Sequence, residues 1–286
     1  MVIATVTPVP TATVPTPTET PSSSAISFDP PQLRQGGFSV VYFNRPAASA
    51  TLSFGGLLYP MLPDGDRWWA IIGIGAFADL GAAPVSVSYT SASGGATASI
   101  DSSIEITDYA YPVENIDLDP QTSTLLDPAI VNNELAFRAG IYDGYTTQKL
   151  WSGPFVRPST AAVGDIYGIA RGYNGGPATD YHRGTDFVAQ AGEPVIAAAA
   201  GRVVFVGPLQ VRGNSVIIDH GAGVFTAYHH LSAFHVAQGD TVQAGQLIGN
   251  VGATGLVTGP HLHWEVIIRG IEVDGLLWLQ GNTIGP

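Results

Sequence analysis

All seven histidines of the chain fall between His182 and His263, and the first 181 residues contain none. Imidazole is the commonest neutral nitrogen ligand and the usual acid or base near neutral pH, so metal or proton-transfer chemistry belongs in that stretch. His182 and Asp186 stand four apart in HRGTDFV, where Gly-Thr and the β-type Phe187-Val188 favour a strand or extended loop. That offset sets imidazole and carboxylate on one side of the chain, a pairing suited to zinc. Taken alone, it reads as a surface His–Asp hydrogen bond. His261 and His263 alternate with Leu262 and Trp264 in TGPHLHWEV, so both rings share one face of a strand. Two adjacent imidazoles are costly if both are charged; they make sense where one binds a metal and the other hydrogen-bonds nearby. In Tyr228-His229-His230-Leu231, neighbouring strand residues face opposite ways, which admits one of the two histidines to any one site.

Three separated motifs then occur in order: His-x-Gly-x-Asp-Phe at 182–187, Thr-x-Tyr-x-His-Leu at 226–231, and Thr-Gly-x-x-Thr-Gly-Pro-His-Leu-His at 254–263. With the glycine turns of GDTVQAGQ at 239–246, they resemble the lysostaphin/LytM-type zinc endopeptidases over about 157–286. The resemblance implies His182, Asp186 and His263 as ligands of Zn2+, with the fourth position left to water as in catalytic zinc sites. It implies His230 and His261 as an unliganded catalytic pair, acting with a water activated on the metal. No HExxH glutamate is present, so a histidine has to serve as base. Tyr173, in RGYNGG, is a possible oxyanion donor, with Tyr181 competing for that role. Where family members carry Phe-Gly-x-Arg, this chain has Tyr167-Gly168-Ile169-Ala170-Arg171, one residue longer. Glu265 shares strand parity with His263, and either orients a ligand ring or ends the strand as a plain charge. His220 reads as a turn residue, His229 as packing outside the site, and His235 as solvent-facing.

The implied activity is hydrolysis of peptide stems or cross-bridges of bacterial peptidoglycan, outside the membrane, by a monomer. The alternative is a catalytically inactive adaptor of the same fold that binds wall or activates another hydrolase. Such adaptors lose ligands, and here every ligand position is filled. A purely structural zinc site would need His230 or His261 as a fourth ligand.

The elements that must position these residues follow from composition. The 286 residues hold 35 glycines and 21 prolines, which favours short strands and turns over long helices. A mainly β chain is expected. Residues 1–25, with five prolines and seven threonines, read as an extended tether. Residues 26–112 alternate in short runs such as Val85-Ser86-Val87-Ser88-Tyr89, separated by turns, and read as an antiparallel, immunoglobulin-like β-sandwich. Residues 113–156 read as a linker with a helix from Pro128 to Tyr142, begun by Asp127-Pro128 and bearing Ile130, Phe137 and Ile141 at helical spacing. Residues 157–286 read as the antiparallel β-sheet peptidase domain.

Charge excludes other partners. Eleven basic residues against 23 acidic give −12, too few cations for a nucleic-acid face. Five basic and 14 acidic residues lie up to residue 155, and six and nine beyond it, so the acid load sits upstream of the histidines. There is no cysteine, hence no disulfide, thiolate zinc site or cysteine nucleophile. The best apolar run, Val195–Val206, is shorter than a membrane span and is broken by Arg202. The opening MVIATVTPVP has no cationic n-region and does not read as a signal peptide.

Overall fold

The computed structural model describes residues 25–286 and is mostly β-strand, with sparse helices. The tether expected over 1–25 lies outside the described residues except for Ala25.

The upstream domain packs two sheets face to face. One orders Ile26–Asp29, Phe38–Phe43, Arg67–Gly73 and Leu62–Asp64; the other orders Gln32–Arg34, Thr97–Thr107, Gly81–Ser91, Ala47–Phe54 and Leu57–Pro60. Val85 and Val87 point inward while Ser86 and Ser88 do not, as the alternation predicts. Two features depart from the sequence reading. Gln32–Arg34 pairs in parallel with Thr97–Thr107, so the sandwich is not wholly antiparallel. Phe38–Phe43 is also covered on both faces. Phe43 meets Tyr89 of the opposite sheet at 4.8 Å, whereas Phe38 stacks on Trp278 of the C-terminal region at 4.7 Å. At the end of the neighbouring strand, a Cβ on Gly73 would stand 2.9 Å from Val273 and 3.2 Å from Ile268. The absence of a side chain lets the two domains close to van der Waals contact.

The stretch between them is bound along its length to the C-terminal domain. Val113–Ile116 lies parallel to Ala170–Tyr173, which in turn pairs with Asp180–Tyr181. The long helix runs Pro128–Asp143, with the Asp127 carboxylate accepting from Ala129 N and Pro128 in the first turn, where its missing N–H costs nothing. Its buried residues are Glu134, Arg138 and Tyr142, spaced four apart on one face. Phe137 is 51% exposed and only stacks on Phe205. The inward stripe is therefore polar.

In the C-terminal domain, Ala162–Val163, Thr185–Val188, Leu262–Ile268, Val224–His229, Gly213–Gly221, Gly201–Leu209 and Thr241–Val242 follow one another across an antiparallel sheet, with Ile271–Val273 paired to Leu262–Ile268. Leu262, Trp264 and Val266 face the main core. The opposite face carries His263, Glu265 and Ile267. Over its Ile267 end, Tyr142 of the helix packs with Ile217, Phe225 and Ala227. A smaller sheet of Pro194–Ile196, Leu247–Val251 and Leu231–Phe234 completes the domain.

His220 belongs to the core and not to a turn. Its ring is fully buried, with Nδ1 donating to Ala200 O at 2.8 Å and Nε2 2.7 Å from Thr226 Oγ1. Burial lowers its pKa from the ordinary 6.5 to about 4, against the opposite pull of the Ala200 carbonyl. The unfolded chain then binds a proton between these values and the folded chain does not. Stability from this group is complete above pH 6.5 and falls by roughly 1.4 kcal/mol per pH unit as pH drops toward 4. Urea midpoints measured across this window are expected to decline more steeply for the parent chain than for His220→Gln. Parallel slopes would remove the assignment.

Candidate metal centre

Asp186 and His263 are register partners on adjacent strands, and His263 is in turn the partner of His229. One row across three strands therefore carries carboxylate, imidazole and imidazole. His182 joins from the loop ahead of Thr185–Val188. Gly184 permits this: a Cβ there would stand 2.4 Å from Trp264 O and 2.9 Å from His263 Nε2.

Three atoms converge. His182 Nε2 lies 3.0 Å from Asp186 Oδ1 and 2.9 Å from His263 Nδ1, and His263 Nδ1 lies 2.7 Å from Asp186 Oδ1. All three residues are buried. Their far atoms fix the tautomers. His182 Nδ1 donates to Ile166 O at 2.8 Å, and His263 Nε2 donates to Glu265 Oε1 at 3.0 Å. Each ring thus turns a lone pair toward an ionised carboxylate oxygen, an arrangement of three acceptors that calls for a cation at its centre. Tetrahedral ligation at about 2.0–2.1 Å spaces ligand atoms by roughly 3.3 Å, only slightly wider than observed here. The donor set therefore fits a chelated metal. On Asp186, burial pushes the carboxyl pKa up, but the adjoining rings of His182 and His263 hold it well below the carboxylate range. Burial lowers His182 despite Asp186.

The remaining histidines sort by distance. His261 Nε2 is 3.7 Å from Asp186 Oδ1, its Nδ1 donating to Gly259 O at 2.9 Å. His230 stacks on His261 with centroids 4.8 Å apart, its Nδ1 donating to Thr254 O at 2.7 Å. In the neutral form of each ring, the lone pair therefore sits on Nε2. Burial, and then the neighbouring rings of His261, His263 and His229, keep His230 well below the ordinary imidazole range. His229 is not outside the site. It packs 5.6 Å from His263, hydrogen-bonds Ser215 Oγ at 2.7 Å and is lowered to about 3 chiefly by burial. Strand parity fails here because His230 has φ +62°, in the left-handed region. The chain turns out of Val224–His229 at that residue and both rings end near His263. His235 is exposed, 2.6 Å from Asn250 Oδ1.

The cluster opens into a cleft of about 340 Å³. Tyr173 and Arg171 line it from Ala170–Tyr173, Glu114 and Ile116 from the paired upstream strand, and Leu256 to His261 from the other side. Tyr181 lines it too, while its ring packs on Phe77 and Tyr167. Burial raises the Tyr173 phenol, so it stays a donor at neutral pH. Arg171 joins Asp165 at 2.8 Å and reaches to 3.8 Å from Asp186 Oδ2.

Behind the cluster, Glu265 is fully buried and is no strand-end charge. It accepts from Arg138, from Arg212 Nε at 3.0 Å and from His263. Burial alone would raise its pKa, but Arg138 and Arg212 hold it well below the carboxylate range. Arg138, Arg212 and Glu134 were not among the expected site residues. The signal available was polar residues repeating every four along the 128–143 helix.

Among the described residues no helix is long and apolar enough to cross a membrane. Residues 180–275 match the model of peptidase family M23. The chain is 50% identical over 93 residues to the DD-carboxypeptidase/endopeptidase Mpg of Neisseria meningitidis serogroup B, covering 32% of this chain and 21% of that one. It is 46% identical over 95 residues to the peptidoglycan DD-endopeptidase ShyA of Vibrio cholerae, covering 33% and 22%. The chain thus spans about a fifth of the length of these relatives. A crystal structure of an M23 peptidase from Pseudomonas aeruginosa superposes with a TM-score of 0.66 at 26% identity, covering 88% of this chain and 96% of that one.

Proposed function

We propose that the chain is a zinc-dependent endopeptidase that cleaves peptide stems or cross-bridges of bacterial peptidoglycan outside the membrane, a reading supported by the match of residues 180–275 to peptidase family M23. The observation that carries this reading is the mutual approach of His182 Nε2, Asp186 Oδ1 and His263 Nδ1 within 3.0 Å at the floor of an open cleft. Relatives named for DD-endopeptidase activity match about a third of the chain.

His182, Asp186 and His263 would hold the ion. When bound, zinc supplies a water of near-neutral pKa and a Lewis acid for the scissile carbonyl. His261 and His230 do the rest of the proton work at their free Nε2 atoms: one accepts the proton of the attacking water and the other hydrogen-bonds the tetrahedral centre. Backbone carbonyls of Gly259 and Thr254 fix both tautomers for that task. The Tyr173 phenol donates to the carbonyl oxygen as charge develops on it. The cleft walls place both charge signs beside the peptide, Glu114 and Asp180 against Arg171 and Arg212. A substrate carrying free amino and carboxyl groups suits such a lining.

Purified chain with added zinc is expected to release new amino groups from isolated walls and to split cross-linked muropeptides. Chelation should stop the reaction and zinc should restore it. Tight metal binding with walls, muropeptides and glycine-rich peptides all left intact would hand the chain to the adaptor reading.

A further inference from the structure

The Pro128–Asp143 helix lies outside the stretch matched by the family model, yet its buried face ends on the carboxylate that holds a metal-facing ring. Arg138 is 2% exposed in its side chain, and Glu265 not at all. A guanidinium so deeply buried on a helix whose other face is solvated demands a reason beyond local stability, because desolvating it is expensive. Its partners supply one. Arg138 Nη2 donates to Glu265 Oε2 and, at 2.9 Å, to Tyr142 Oη, one helical turn on; its Nε also reaches Tyr142 Oη at 3.2 Å. The other oxygen, Oε1, accepts from His263 Nε2 and Arg212 Nε, each at 3.0 Å. Arg212 is itself tied to the helix. Glu134, one turn before Arg138, accepts the backbone N–H of Val211 at 2.7 Å and of Arg212 at 3.1 Å.

We infer that Arg138 is a positioning residue: with Arg212, whose backbone Glu134 ties to the same helix, it clamps Glu265 from both sides, so that His263 keeps its proton on Nε2 and presents Nδ1 to the metal. The inference rests on the metal reading above. The clamp acts through a single hydrogen bond to the ring. A carboxylate held in this way fixes ring rotation and tautomer, and raises the basicity of the ligating nitrogen. Released from Arg138, Glu265 keeps Arg212 and the ring on Oε1 but on Oε2 only His229 Nε2, at 3.6 Å, so the carboxylate is held less firmly against Nε2. The helix then sets metal affinity without touching the ion.

The test is zinc affinity of the full chain, measured by competition with a chromophoric chelator. His182→Ala serves as the baseline for a broken site. Arg138→Met is expected to weaken binding by about 10- to 100-fold, the range found when such supporting groups are removed. Arg138→Lys restores the charge and part of the affinity, since an ammonium reaches Glu265 but cannot also span to Tyr142. Tyr142→Phe leaves the ion pair in place and removes one anchor of the guanidinium, with an expected loss of roughly two- to tenfold. Should Arg138→Met not fold, Tyr142→Phe decides. Parent chain that binds zinc no better than His182→Ala rejects the metal reading, and this inference with it. Parent chain that binds well, with Arg138→Met or Tyr142→Phe merely melting earlier at unchanged affinity, overturns the clamp alone.

Discussion

His263→Ala is expected to lose zinc and hydrolysis together, whereas His261→Ala keeps the metal and loses turnover. The two rings sit two residues apart on one side of the chain, but their distances separate them. His263 Nδ1 is within 2.9 Å of both other converging atoms, so its removal leaves one imidazole and one carboxylate, too few to retain an ion against buffer. His261 Nε2 stands 3.7 Å from Asp186 Oδ1 and its other nitrogen is fixed to Gly259, which places it beside the triangle. Loss of a positioned acid or base at that point costs at least about 10²-fold in rate. Metal content by mass spectrometry, read alongside cleavage of cross-linked muropeptides, separates the variants. Absence of zinc from both would reject the proposed division between ligand and catalyst.

Gly184→Ala is expected to damage the site almost as severely without altering any ligand. The added Cβ would stand 2.4 Å from Trp264 O and 2.9 Å from His263 Nε2, both well inside contact distance. The carbonyl cannot retreat, because Trp264 is the register partner of both Thr185 and Tyr228 in the middle of the sheet. Relief has to come from the ring of His263 or from the loop that carries His182. A destabilisation of about 2–4 kcal/mol follows from such overpacking, together with weaker zinc binding. Gly140→Ala makes the opposite control. Nothing lies within 4 Å of a Cβ there, in the exposed interior of the helix, and alanine should add about 0.5–1 kcal/mol. Urea unfolding with and without zinc reads both effects. A Gly184→Ala chain as stable and as zinc-avid as its parent would show that the close approach is unimportant.

The ligand set was legible through the family resemblance of three ordered motifs, and spacing adds to it because the strand repeat and a short loop do part of the placing. The period of two puts His261 and His263 on one side, and two residues of loop between His182 and Thr185 leave little choice about where the first ring goes. The upstream sandwich is visible for the same reason, in alternations such as Val85 to Tyr89. What stayed hidden depends on distant pairing or on one backbone angle. Nothing local to Val113–Ile116 announces that it will lie parallel to a strand 57 residues further on and form a wall of the cleft. No periodicity marks the +62° φ of His230, which brings both adjacent histidines to the same corner. The helix was legible in extent, but the spacing of Ile130, Phe137 and Ile141 did not reveal that its buried residues are Glu134, Arg138 and Tyr142, because Arg138 answers a buried carboxylate on a distant strand.

Contact between the sandwich and the catalytic sheet has a practical corollary for anyone dissecting the gene. Phe38 against Trp278, Gly73 against Ile268 and Val273, and the Arg34–Asp274 ion pair at 2.5 Å together form a seam through the interior. Cutting the chain at the borders of the recognised family segment would strip that seam bare and discard the helix as well. The histidine-bearing sheet is therefore expected to lose stability when it is cut away from the residues upstream of His182.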